Sequence, residues 1–349
     1  MRLPRRTLAF VAAFATVLAM GACNASSQED EAGGTASATP ATDAGAFPVT
    51  IAHKHGQTTI DKAATRIVTV GLKEQDDLLA LGIIPVGATK WLELGKGGII
   101  GTWAEEALGD APVPQVLSNA DGIEFEKIAA LKPDLILGLY AGLTKDDYDK
   151  LSRLAPVVAQ PKEYPDWGIP WDEQALKVGQ AVGQVTKMQQ LVDATKRAVT
   201  DAKAAHPELS GKTGLVATSY EGIYVYASPD PRSRLLTELG FSLPADIDQV
   251  IGTKDFGANL SDEKMEWLDR DVLLWFAASA AEEKKLTSGR VYQQLTVSKE
   301  KRTLFIKPGD TIENAFSFIT VLSLPFLVEN LTPMLSRAVD GDPATDPQG

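Results

Sequence analysis

The sequence predicts an α/β protein of two related lobes joined by one long backbone helix. Three observations carry this. Short β-branched runs alternate with short amphipathic helices, the pattern of largely parallel sheets covered by helices. A helix–strand unit recurs at an offset of 137 residues: Glu126-Lys127 leads through Leu131 and Asp134 to the apolar run 135–137, and Glu263-Lys264 leads through Leu268 and Asp271 to 272–274. Between the halves, Trp171 to Ala205 contains no proline and spaces apolar residues by three and four. A length of 349 residues suits two such lobes.

The chain opens on Arg2, Arg5 and Arg6, followed by an uncharged apolar stretch from Thr7 to Ala22. That stretch has signal-peptide length and is short for a membrane span. It ends in Met20-Gly21-Ala22-Cys23, with the only cysteine of the chain. This resembles the lipobox of bacterial lipoproteins, with Met20 where leucine is usual. The resemblance implies removal of residues 1–22 and lipidation of Cys23, with the lipid holding the chain on the membrane. Losing three arginines and no acid shifts the net charge from −12 to −15. That balance disfavours nucleic acid as a partner, and one cysteine excludes a disulfide framework. Residues 23–46, rich in Ser, Ala, Gly, Thr and acid, read as a disordered tether.

The first lobe is expected over 47–170. Val49–His53 and Gln57–Ile60 alternate about Gly56 as a hairpin. Ile67–Val70 reads as a buried strand, Asp76–Leu81 as a helix stopped by Gly82, and Pro85-Val86-Gly87 as the next strand. Residues 126–138 give helix, proline stop and strand. The connecting helix is expected over 171–206; about 33 residues at 1.5 Å each span about 50 Å. Gly179 and Gly183 weaken it, and His206-Pro207 ends it. The second lobe is expected over 207–338, with strands at Gly214–Thr218 and Ile223–Ala227. Leu236-Thr237-Glu238-Leu239-Gly240 echoes Leu78–Gly82. Residues 339–349 read as a disordered tail.

Ala64–Val70, Gln75–Gly87, Ile128–Gly138, Tyr140–Lys145, Leu151–Val158, Leu235–Pro244, Leu260–Glu263 and Phe316–Leu331 stand in an order and spacing of their own. They resemble the iron–siderophore branch of the helical-backbone solute-binding proteins of ABC importers, over about Phe47 to Leu335. The resemblance implies a ligand cleft between the lobes and an iron(III)–siderophore cargo, hydroxamate-type by expectation. It implies an ABC permease as partner, a lipid-anchored place on the extracytoplasmic face of the cell membrane, and a monomer. It implies no enzyme activity, no cofactor and no metal ligands of the protein's own. It also implies one acidic docking residue per lobe. Asp76 holds the first position; Thr237 occupies the usual second position, leaving Glu238 beside it.

A chelate whose iron is already satisfied needs flat walls and a few donors. Aromatic residues in loops after strands fit this need: Trp91, Trp103, Tyr140, Trp167, Trp171, Tyr220 and Trp275, with Phe316 from the C-terminal block. Arg232, Arg234 and Arg290 are candidate donors to chelate oxygens. Other chemistries are poorly served. His53 and His55 share a strand face but have no evident third ligand for a metal. Gly211-Lys212-Thr213 lacks the order of a phosphate loop, and no Gly-x-Ser-x-Gly elbow exists. Two rivals stand beside this reading: the same fold carrying haem or a corrinoid, and a secreted lipoprotein hydrolase using paired acids.

Overall fold

The computed structural model describes residues 41–349 apart from Trp91, Tyr220, Glu221, Thr253 and Lys254. Strands β1 (Val49–His53) and β2 (Gly56–Ile60) pair antiparallel, with Gly56 at φ +129° just after the turn. The first lobe then builds on β3 (Ile67–Thr69), β4 (Gly87–Lys90), β5 (Gln115–Ser118), β6 (Leu135–Gly138) and β7 (Val157–Ala159). All pair parallel in the order β5-β4-β3-β6-β7. Helices α1 (Glu74–Ala80), α2 (Glu105–Leu108), α3 (Phe125–Ala130) and α4 (Lys145–Leu151) lie between the strands. Strand β6 is apolar at every side chain because helices cover both faces; Leu135, Ile136 and Leu137 are fully buried, each contributing about 1.5–3 kcal/mol.

The long connecting segment contains two helices, a finding that corrects the expected single rod over 171–206. Helix α5 (Trp171–Ala181) stops, and α6 (Val185–Ala205) carries the connection to the second lobe. Gly183 adopts φ +69°, and the Gln184 N–H donates back to the Gly179 carbonyl at 2.8 Å. This is a helix-ending motif that a left-handed residue makes possible. A Cβ on Gly179 would fall 2.6 Å from Met188 Cβ, so the glycine admits the close crossing of α5 and α6. The 21 residues of α6 still span about 31 Å. One stripe of it, Met188, Val192, Thr195 and Val199, is buried.

The second lobe is built from β8 (Gly214–Ser219), β9 (Ile223–Tyr226), β10 (Gly257–Leu260), β11 (Val272–Phe276) and β12 (Thr303–Ile306). Its helices are α7 (Pro231–Glu238), α8 (Ala245–Ile251), α9 (Ala280–Ser288), α10 (Arg290–Gln294), α11 (Thr296–Lys299), α12 (Thr311–Ser317) and α13 (Ser323–Ala338). The sheet order is β10-β9-β8-β11-β12. Both sheets therefore run third-second-first-fourth-fifth. They differ in β9, which is antiparallel to both neighbours. The 137-residue echo has a structural counterpart. Asp134 accepts hydrogen bonds from Thr65 N and Oγ1, and Asp271 accepts them from Thr213 N and Oγ1. In each lobe one carboxylate before an interior strand ties the start of that lobe's first strand.

The lobes also meet away from α6. Trp103, in the 3₁₀ turn Thr102–Ala104, packs near Phe326 of α13 with ring centroids 6.4 Å apart. Phe318 clusters with Leu72 and Leu94 of the first lobe. Residues 339–349 differ from the expected disordered tail. They fold back, with Pro347 O accepting from Arg337 Nη2 at 3.1 Å and Gln348 Nε2 donating to Phe305 O at 2.9 Å. Among the described residues, no helix is long and apolar enough to cross a membrane.

Candidate binding cleft

In an open α/β sheet, the crevice lies at the carboxyl ends of the strands, where the strand order reverses. In the first lobe that point falls between β3 and β6, and the residues just beyond them are Leu72 and Tyr140. Leu72 N donates to Tyr140 O at 3.2 Å. Glu74 fixes both loops beneath: its carboxylate accepts from Tyr140 N at 2.8 Å and Lys73 N at 3.2 Å. Gly71 leaves the space for it, since a Cβ there would lie 1.9 Å from Glu74 Oε1. In the second lobe the order reverses between β8 and β11, and Thr218, Ser219, Phe276 and Ala277 line the opening there.

A cleft of about 400 Å³ lies between the lobes, beside the first-lobe reversal and against β9 and the start of α7 in the second lobe. Tyr140 and Trp167 form one wall, and Tyr224, Tyr226, Arg232 and Phe256 form the other. Tyr140 and Trp167 meet edge to face at 5.3 Å, as do Tyr224 and Tyr226 at 5.2 Å, a favoured aromatic geometry. Trp167 is 37% exposed and sits at φ +66°, a strained conformation for a bulky residue. Its loop is clamped by Gln160 Nε2, which donates to Tyr164 O and Pro165 O at 2.7 and 2.6 Å. Gly142 makes room for the ring: a Cβ there would be 2.8 Å from Trp167 Cζ2.

The cleft is close to neutral. Arg232 lies 3.9 Å from the Tyr226 ring centroid and forms a bidentate pair with Asp230 at 2.8 and 2.9 Å. Asp230 also caps α7 by accepting from Arg232 N. Burial pushes the Tyr140 hydroxyl up to about 12, and burial likewise raises Tyr224 and Tyr226. All three are protonated donors at neutral pH. Each phenol hydroxyl lacks a hydrogen-bond partner among the described residues. The arrangement offers flat apolar faces and uncommitted O–H donors, suited to a compact ligand with oxygen acceptors.

Residues 90–308, more than half of the chain, match the periplasmic binding protein family. The chain belongs to that family. A periplasmic solute-binding protein from Mycobacterium smegmatis is 34% identical in sequence, with a TM-score of 0.73 over 83% of this chain and 98% of that one. PiaA of Streptococcus pneumoniae in complex with ferrichrome is 26% identical, with a TM-score of 0.73 over 84% and 99% of the two chains. The Bacillus subtilis protein named "Probable siderophore-binding lipoprotein YfiY" is 28% identical over 271 residues, 76% of this chain and 77% of that protein.

This periplasmic binding protein distributes the sequence-selected residues over several places. Tyr140 and Trp167 stand together in the cleft wall. Trp103 is half-buried between the lobes and beside a separate small opening. Trp171 and Arg234 line a second cavity, with Glu238 exposed at its edge. Arg290 is exposed at the first residue of α10 and lines neither cavity. Trp91, Tyr220 and Cys23 lie outside the described residues. Three assignments are corrected. Trp275 is 1% exposed within the second-lobe core and borders a small separate cavity with Met265 and Leu286, not the aromatic cleft. Phe316 is fully buried and stacked on Phe276 at 5.5 Å. Asp76, expected on the surface for docking, is 2% exposed and hydrogen bonded across the lobes.

The residues missed in the sequence are Tyr224, Tyr226, Asp230 and Phe256. The alternation Ile223-Tyr224-Val225-Tyr226 was the available signal, since it puts two aromatic rings on one face of a strand. His53 and His55 serve the hairpin's attachment: His53 Nε2 lies 3.0 Å from Thr58 Oγ1, and His55 Nε2 lies 2.9 Å from Leu143 O.

Proposed function

We propose that this protein is a receptor that captures a ferric siderophore, hydroxamate-type, and delivers it to an ABC permease for iron uptake. Lipidation at Cys23 would hold it on the extracytoplasmic face of the membrane. The observation that carries the reading is the aromatic cleft between the lobes, with three uncommitted phenol donors and no net charge in its wall. A chelate with satisfied iron requires shape, flat faces and donors to its oxygens, and these are what Tyr140, Trp167, Tyr224 and Tyr226 present. The names of the relatives support the cargo, and the ferrichrome complex of PiaA supports the hydroxamate class. No step of bond making is required, so the role is binding and presentation.

Titration of the full chain in detergent, followed by tryptophan emission, tests this. Ferric hydroxamate, ferric catecholate, haem and cobalamin are the four probes. Saturable quenching by ferric hydroxamate, reduced in Trp167→Phe, is the expected result. Saturation by haem or cobalamin alone would overturn the cargo, and silence with all four would overturn the receptor reading.

A further inference from the structure

A second cavity, of about 450 Å³, opens between the lobes alongside α6. It shares only Pro231 with the aromatic cleft. Its walls combine an apolar belt, including Ile169, Val199 and Leu235, with the flat side chain of Trp171 and four cations, of which Lys196 and Lys203 stand on α6 and Lys73 and Arg234 face them from the two lobes.

Lys73 and Arg234 are unusual in what they lack. Lys73 is 2% exposed, yet it has no carboxylate within ion-pair distance among the described residues. Its ammonium sits 4.0 Å from the Tyr140 ring centroid and 3.5 Å from Ile319 O. The three neighbouring acids act on Lys73 only from a distance and take their hydrogen bonds from other groups, with Asp77 Oδ1 left unpartnered among the described residues. Glu74 accepts from backbone N–H groups, Asp76 from Trp103 and Thr320, and Asp77 from Gln174. Desolvation lowers Lys73 to about 8, so an anion beside it restores lost stabilisation of its charge. The Arg234 guanidinium likewise makes no hydrogen bond or ion pair with any described residue. Lys196, by contrast, is already paired with Asp172 at 2.6 Å.

We propose that this lateral cavity is a second ligand site, taking a small carboxylate that carries an apolar or aromatic body. The carboxylate faces Arg234 and Lys73, and the body lies against Trp171 and the apolar belt. A planar guanidinium matches a carboxylate by two parallel hydrogen bonds. The carboxylates of Asp172 and Glu238 at the edge disfavour a multiply charged anion such as phosphate. The site adjoins the aromatic cleft through Pro231 and through Lys73, whose ammonium lies against the Tyr140 ring.

Calorimetric titration of the full chain in detergent tests the proposal with three probes: 3-phenylpropionate, its neutral amide, and inorganic phosphate. The carboxylate is expected to bind saturably at one site, with the amide at least about tenfold weaker. Arg234→Ala is expected to weaken the carboxylate about tenfold, with circular dichroism reporting whether the variant is folded. Glu238→Gln removes a repulsive charge and is expected to strengthen binding about twofold. No saturable heat with the carboxylate, equal affinity for the amide, or a response to phosphate alone would overturn it. So would a loss on Trp167→Ala with none on Arg234→Ala, because the molecule would then sit in the aromatic cleft. Ferric hydroxamate binding is read separately, so neither result depends on the other.

Discussion

Asp76 of the first lobe accepts a 2.8 Å hydrogen bond from Thr320 Oγ1 of the second lobe. The same carboxylate oxygen accepts from Trp103 Nε1 at 2.7 Å. Thr320 in turn accepts from Ser323 N at 3.0 Å, so one hydroxyl holds the start of α13 and reaches across to Asp76. Burial opposes the charge more strongly than the two donors favour it, and the carboxyl is pushed up to about 6.

This carries a pH dependence. With its folded value above the ordinary 3.8, Asp76 keeps its proton in the folded chain between about pH 4 and 6, where the unfolded chain has lost it. Its contribution to stability is therefore greatest in acid and falls as pH rises through that window. Asp76→Asn retains an acceptor oxygen for both donors and removes the buried charge. It is expected to raise stability at pH 7.5 by on the order of 1–3 kcal/mol and to flatten the pH profile. Urea unfolding at pH 4.5 and 7.5 measures this, and identical pH slopes for the two proteins would refute it.

Arg232 and Asp230 act as a unit. The Asp230 side chain is 3% exposed, so removing its cation leaves a buried charge unpaired. Arg232→Ala is expected to cost about 3 kcal/mol. Adding Asp230→Asn, which keeps the α7 cap, should recover at least half of that loss. A double-mutant cycle by denaturant unfolding decides; additive losses would show that the pair is not coupled.

Gly142 governs the Trp167 wall. At φ +57°, and with a Cβ predicted 2.8 Å from the indole, Gly142→Ala must move the ring or the loop. Stability is expected to fall by about 1 kcal/mol. Affinity for ferric hydroxamate should fall about fivefold as the Tyr140–Trp167 pair is lost. Unchanged affinity together with unchanged Trp emission would sink the idea.

Much of the architecture was legible because it rests on local rules. Asp134 and Asp271 mark the same turn in each lobe, and the apolar runs after them can only be buried strands. Tyr140 and Trp167 were readable as aromatic residues in loops beyond strand ends. The burial of Lys73-Glu74-Gln75-Asp76-Asp77 was not readable. A charged pentapeptide ordinarily faces water, and only tertiary fit brings Trp103, 27 residues away, and Thr320, 244 away, onto Asp76. Trp275 and Phe316 failed for a related reason. Position at a strand or helix end does not say which way a ring turns, and β11, an interior strand of its sheet, is packed on both faces. Gly183 showed where the long helix was weak, but the packing of Phe47, whose ring would lie 2.6 Å from a Cβ at that position, is a tertiary fit with no local signal.

The buried join between Asp76 and Thr320 means that the two halves of the cleft are assembled before any ligand arrives. A preassembled socket spends little free energy on ordering itself at capture. Encounter then proceeds at nearly the same pace for every molecule small enough to enter, and discrimination among them resides in how long each one stays.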